Sequence, residues 1–143
     1  MAQSGGAEHM DVDRFVRLFI RKERRDRLLY ELTRPEKRAA GLERFCHQSR
    51  ALLDPGKIRM EGENLERLAA FRRFVEGRGE LCLVLSPDCY LDERLLPTEQ
   101  AVAQATMRCD AALILGSDFA VVIGEAVKGG RDKFLLTERS VTL

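Results

Sequence analysis

The stretch that most constrains this chain runs from Asp110 to Thr137, DAALILGSDFAVVIGEAVKGGRDKFLLT. It holds short apolar runs separated by clusters of turn residues. Ala111–Leu115 comes first, and Gly116-Ser117-Asp118 interrupts it. Phe119–Ile123 follows, and Lys128-Gly129-Gly130-Arg131-Asp132 breaks the chain again before Lys133–Thr137. Short apolar runs bounded by Gly, Ser and Asp read as strands joined by tight turns. Strands this apolar need a cover, and the helices before them must supply it. Gly124, inside the most apolar strand, predicts a bulge or a close approach of another backbone. The last run, Lys133–Thr137, is expected to leave an open edge that could pair with a second copy of the chain.

The residues ahead of it read mostly as helix. Val12, Phe15, Val16 and Phe19 recur at helical spacing and make one apolar stripe. Arg21–Arg27 is then an unbroken run of charge, RKERRDR. None of it can face a core, so either the helix leaves the body there or two short helices meet. Thr33-Arg34-Pro35-Glu36 has capping-box spacing with proline in the first turn. It predicts a helix to about Leu53, with Leu42, Phe45, Cys46, Ser49, Leu52 and Leu53 inward. Asp54-Pro55-Gly56 ends it. Lys57–Met60 reads as a short edge strand, and Asn64 as the N-cap of a helix ending near Gly77. Glu80–Ser86 is the first clear strand, and Tyr90–Leu96 holds a small hairpin or an exposed loop. Pro97-Thr98-Glu99 opens the last helix. The unit from Leu81 through that helix to Leu115 is long enough for one parallel crossover. The expected class is α+β: a helical N-terminal half packed on a small mixed, mostly antiparallel sheet formed by the C-terminal half. Residues 1–10 read as a disordered tail, with vector origin as an alternative, and residues 11–143 as one domain.

Composition removes several functional classes. No apolar run approaches the length of a membrane span, and the N-terminus lacks the pattern of a signal peptide. A cytoplasmic protein is the expectation. The four cysteines form no C-x-x-C pair and read as reduced thiols; a Cys82–Cys89 bridge has no support. Only His9 and His47 could join them around a metal, so no metal and no cofactor is expected. Cys46 and His47 look like a thiol–imidazole pair, but neighbours on a helix point about 100° apart. A nucleophile needs its base within hydrogen-bond reach, so no catalytic residue is expected here.

What remains is charge. The whole chain carries a net +1, yet Met1–Met60 holds 14 Lys and Arg against 9 Asp and Glu, and Glu61–Leu143 holds 10 against 14. Between Arg14 and Arg38 lie ten cations and four carboxylates. Arg21, Lys22, Arg24, Arg25, Arg27, Lys37 and Arg38 are the expected binding residues. The plainer alternative is a solvated helix face stitched by i,i+4 pairs such as Glu23–Arg27. A sequence pI near 7.7 and few aromatics, none interleaved with the Arg21–Arg27 run, favour a protein partner over nucleic acid. Lys128-Gly129-Gly130-Arg131 invites a phosphate-loop reading, but the P-loop pattern is absent and a hairpin turn needs the glycines anyway. Asp88, Tyr90, Asp92 and Glu93 follow the end of the first strand, and a pocket would be sought there first. The leading expectation is a small non-enzymatic interaction module that binds another protein through its charged N-terminal helices. The alternatives are a nucleic-acid-binding accessory protein using the Arg14–Arg38 surface, and a small enzyme with its site in the Asp88–Glu99 loop.

Several short segments carry a family likeness: Phe19–Leu29 with its Arg-rich continuation, Pro35–Arg38, Leu91-Asp92-Glu93-Arg94-Leu95-Leu96-Pro97, and the closing Arg131–Leu136. In their order the chain resembles a group of small uncharacterised bacterial proteins. The resemblance implies a cytosolic bacterial protein and assigns no chemistry to any residue.

Overall fold

The computed structural model describes residues 8–108, 111–126 and 129–138. Four helices come first: α1 (Val12–Phe19), α2 (Arg25–Thr33), α3 (Pro35–His47) and the single turn α4 (Ser49–Leu52). Then come β1 (Ile58–Gly62), α5 (Ala69–Glu76), β2 (Leu81–Leu85), β3 (Arg94–Pro97), α6 (Thr98–Arg108), β4 (Ala112–Leu115), β5 (Phe119–Glu125) and β6 (Arg131–Thr137). The strands form one sheet in the order β1-β6-β5-β4-β2-β3. The class is α+β, with helices mainly N-terminal and strands mainly C-terminal.

Two expectations about the sheet are corrected. Every neighbouring pair is antiparallel, β2 and β4 included, so there is no parallel crossover between them. The chain first turns back from β2 along β3 at the sheet's edge. Only then does α6 carry it past β2 to β4. The strands joined by the helix are therefore β3 and β4, which flank β2 rather than pairing. Secondly, Lys133–Thr137 is not an open edge. It lies in β6, between β5 and β1, and is buried. The short strand expected near Lys57–Met60 takes the edge, with a register irregularity between Ile58 and Met60.

Helices cover both faces of this sheet. On one face, Leu85, Leu113, Leu115, Ala120, Val122, Phe134 and Leu136 pack against Phe15, Val16, Phe19, Leu28, Leu42 and Phe45 of α1–α3. On the other, Val84, Ala112, Ile114, Val121, Ile123 and Leu135 meet Phe71 and Val75 of α5 and Ala101, Val102 and Ala105 of α6. Alternate residues of one strand thus enter different cores. That is why β4, β5 and β6 are apolar almost without a break instead of alternating with polar residues.

The charged run sits where α1 ends. Ile20 forms an isolated antiparallel bridge with Leu53, fixed by Arg21 N–H donating to the Leu52 carbonyl (2.9 Å) and Asp54 N–H to that of Phe19 (2.8 Å). A 3-10 turn at Lys22–Arg24 then starts α2. So two short helices meet at the run, and its charges remain at the surface. The long helix expected to Leu53 breaks at Gln48, whose φ of −115° and ψ of 25° are not helical. Thr33 does not cap α3; its hydroxyl donates back to the Leu29 carbonyl, and Arg34 takes the N-cap position. Asn64 makes no side-chain cap and opens only a 3-10 turn. The tail reading of residues 1–7 lies outside the described residues. Met10, at its other end, is buried and donates its N–H to the Gly116 carbonyl (2.7 Å).

Gly124 marks a close approach, not a bulge. The β5–β6 register runs without interruption through Gly124 and Asp132. A Cβ on Gly124 would lie 2.4 Å from Ser49 Oγ and 2.8 Å from the Cys46 carbonyl oxygen. The missing side chain is what lets the α3–α4 junction rest on the strand.

Candidate functional site

The seven candidate cations fall into different environments. Arg38 is withdrawn from the surface by a bidentate ion pair with Asp92, both contacts 2.6 Å. Burial opposes ionisation of Asp92, but the Arg38 guanidinium and the Ser86 N–H outweigh it and hold this carboxyl below its usual range. Arg25 Nε donates to the Ile20 carbonyl (2.9 Å) and so closes the end of α1. Arg27 reaches Glu31 at 3.6 Å, while Glu31 also accepts from Arg44 on α3. Arg21 is half-buried, with its Nε out of solvent and without a hydrogen bond. Lys22, Arg24 and Lys37 are exposed, and no ion pair engages them among the described residues.

Sequence reasoning missed Tyr30. It stands 47% exposed on α2, with the Arg34 guanidinium 4.2 Å from its ring centroid and Lys37 Nζ at 6.0 Å. Spacing held the signal: Tyr30 and Arg34 are four residues apart. The ring was passed over because it follows the basic run instead of lying within it.

The acidic loop after β2 is a built structure, not a set of free carboxylates. Asp88 accepts from Tyr90 N–H (2.8 Å) and from Arg108 Nε (2.9 Å). Asp92 is taken up by Arg38 and by Ser86 N–H (3.0 Å). Glu93 holds a positive φ of 63° in the turn into β3. Tyr90 is 71% exposed beneath the Arg108 guanidinium. Among these four, Asp88 alone lines a cleft of about 580 Å³ at the end of the sheet.

That cleft lies at the end of the sheet, between the last turns of α3, the Pro87-Asp88 corner and the start of β6. Its chemical centre is a contact the sequence did not suggest: His47 Nδ1 lies 2.6 Å from Glu125 Oε2. The hydrogen bond from His47 draws the Glu125 carboxyl below its usual range. An ionised carboxylate can only accept, so the His47 Nδ1 carries a proton and donates it to Glu125. Residues 78 positions apart share no local pattern, which is why the pair was invisible. Cys46 and His47 indeed do not face one another. The Cys46 side chain is in the core, and burial pushes its thiol up to about 12, leaving no thiolate to attack.

Cys46, Cys82 and Cys89 are free thiols, so no Cys82–Cys89 bridge forms. Cys109 lies outside the described residues, as does Lys128 of the glycine turn. Gly129 and Gly130 both adopt positive φ, as a tight turn requires, and Gly129 N–H bonds the Ala126 carbonyl. Among the described residues no cluster of His, Cys, Asp and Glu could hold a metal ion. Nor is any helix among them long and apolar enough to cross a membrane. The chain matches no protein-family model, no curated protein and no solved structure.

Proposed function

We propose that the protein is an interaction module whose α2–α3 hairpin binds an acidic surface of another protein. The observation that carries this reading is Tyr30, exposed and flanked by Arg34 and Lys37. An aromatic ring with cations fixed over it combines apolar contact area with charge-assisted donors. Tyrosine and arginine are the residue types that dominate protein-interface energetics. Lys22 and Arg24 stand at the start of α2, where Arg24 lines a cleft with His47 and Glu125, while Glu31 on α2 is turned to Arg44 and Arg27. A single exposed tyrosine beside a cluster of cations suits a folded acidic partner better than a row of phosphates, which needs a longer basic stripe.

Arg34→Glu combined with Lys37→Glu tests this. A fluorescently labelled glutamate-rich polypeptide should bind the wild-type protein at about 50 mM salt and lose roughly tenfold or more in affinity with the double variant. Unchanged affinity would remove these helices as the binding surface. Preferential binding of duplex DNA or RNA, weakening by orders of magnitude between about 50 and 200 mM salt, would transfer the surface to nucleic acid.

A further inference from the structure

The cleft at the end of the sheet plays no part in that binding role, yet it holds the one imidazole–carboxylate pair among the described residues. We propose that it is a hydrolytic site: His47, oriented by Glu125, removes a proton from water that attacks the carbonyl of a small ester, and Arg131 stabilises the resulting oxyanion.

Four features carry the inference. A carboxylate on Nδ1 fixes the ring's tautomer and leaves Nε2 as the base, the division of labour found wherever a histidine is oriented for proton transfer. Both members sit on regular elements: His47 is the last residue of α3, and Glu125 the last of β5. Gly124, beside Glu125, lets the Cys46 carbonyl and Ser49 rest on the strand, so the helix end and the strand end cannot drift apart. Arg131 stands opposite Glu125 in the β5–β6 ladder and lines the same cleft. A cleft of about 580 Å³ is of the size that takes small molecules.

Water has to be the nucleophile. The cleft offers no serine or threonine, and Cys46 is a buried thiol held in its protonated form. In the first step the water oxygen bonds to the acyl carbon while its proton passes to Nε2. The carbonyl electrons move onto oxygen beside the Arg131 guanidinium, where a fixed positive charge is worth most. Collapse of the intermediate breaks the bond to the leaving alkoxide or phenolate. The imidazolium then returns its proton to the leaving group or to solvent, so the ester and one water become an acid and an alcohol with no redox change. Glu125 touches neither ester nor water and is a positioning residue.

The test uses the full chain and p-nitrophenyl acetate. The proposal expects saturable release of p-nitrophenolate, without a burst, faster than an equal concentration of free imidazole and slower in D₂O. His47→Gln should remove about 10²-fold or more of this rate, the usual contribution of a general base. Glu125→Gln should lower kcat while leaving KM nearly unchanged, and Arg131→Met should lower kcat/KM. The His47 and Glu125 side chains are 66% and 48% exposed, so His47→Gln and Glu125→Gln should unfold at the wild-type denaturant concentration. A rate no faster than free imidazole, or one indifferent to Glu125→Gln, would reduce His47 to an ordinary surface histidine and overturn the proposal. A burst would overturn the water route, because it would show the imidazole itself being acylated.

Discussion

At the scale of single residues, Gly124 has little freedom. Alanine there would place a methyl group against Ser49 Oγ and the Cys46 carbonyl, and the carbonyl cannot rotate away. Forced overpacking of this kind costs about 1–3 kcal/mol. Gly124→Ala should lower the urea midpoint accordingly, and adding Ser49→Ala should recover only part of the loss, because the Cys46 carbonyl remains. A fully neutral Gly124→Ala would mean that the α3–α4 junction is not held against β5 as described. The sequence flagged this glycine but left two readings open. A bulge and a close approach look alike in one dimension, since the partner, Ser49, lies far away in the chain.

The thiols make a second prediction at this scale. Burial raises Cys46 to about 12 and Cys82 to about 11, and burial is the largest cause in each case. Neither should react with a disulfide reagent in the folded protein at pH 8. Cys89, exposed in the loop after β2, should react at once. Fast labelling of Cys46 in native buffer, found by peptide mapping, would contradict the placement of α3's inner face.

At the scale of elements, the Arg38–Asp92 pair joins two segments that the sequence presented as separate candidate sites. It ties α3 to the β2–β3 loop, and the loop's shape depends on the same carboxylate through Ser86 N–H. Both side chains are about one-fifth exposed, so the pair is neither fully screened nor fully desolvated. Asp92→Asn should destabilise the protein by about 1–2 kcal/mol, a range set by half-buried, charge-assisted bonds. The sign of the pH effect follows from the lowered folded carboxyl. Its contribution is present above the ordinary aspartate value near 4 and is lost as pH falls through the lower folded value. Wild type and Asp92→Asn should therefore converge in stability below about pH 4. A constant difference between them from pH 7 to pH 3 would contradict the pairing.

Elements with a strong local signal were readable in the sequence: α1 from its apolar stripe, α6 from Pro97-Thr98-Glu99, and the β4–β6 meander from its turn residues. Signals that depend on competition between partners were not. Thr33 prefers the Leu29 carbonyl to capping α3, and Gln48 breaks a helix whose apolar stripe continues across the break. β3 was half-visible because Arg94–Pro97 gains its strand character only from pairing with β2.

For the molecule as a whole, the covering of both faces explains how a modest chain buries so apolar a meander. It also explains why β6 is internal: the edge belongs to β1, which arrives from the other half of the chain. The same arrangement places the basic α1–α3 layer on one face and α5–α6 on the other.

The central claim is that the α2–α3 hairpin is where a partner docks. The most direct measurement is an amide chemical-shift map of the labelled protein during titration with a glutamate-rich polypeptide at about 50 mM salt. The account predicts saturable shifts concentrated at Lys22, Arg24, Tyr30, Arg34 and Lys37, reduced about tenfold in apparent affinity by Tyr30→Ala, the scale of one interface anchor. Shifts centred elsewhere, or the same map produced more strongly by duplex DNA and insensitive to Tyr30→Ala, would contradict it.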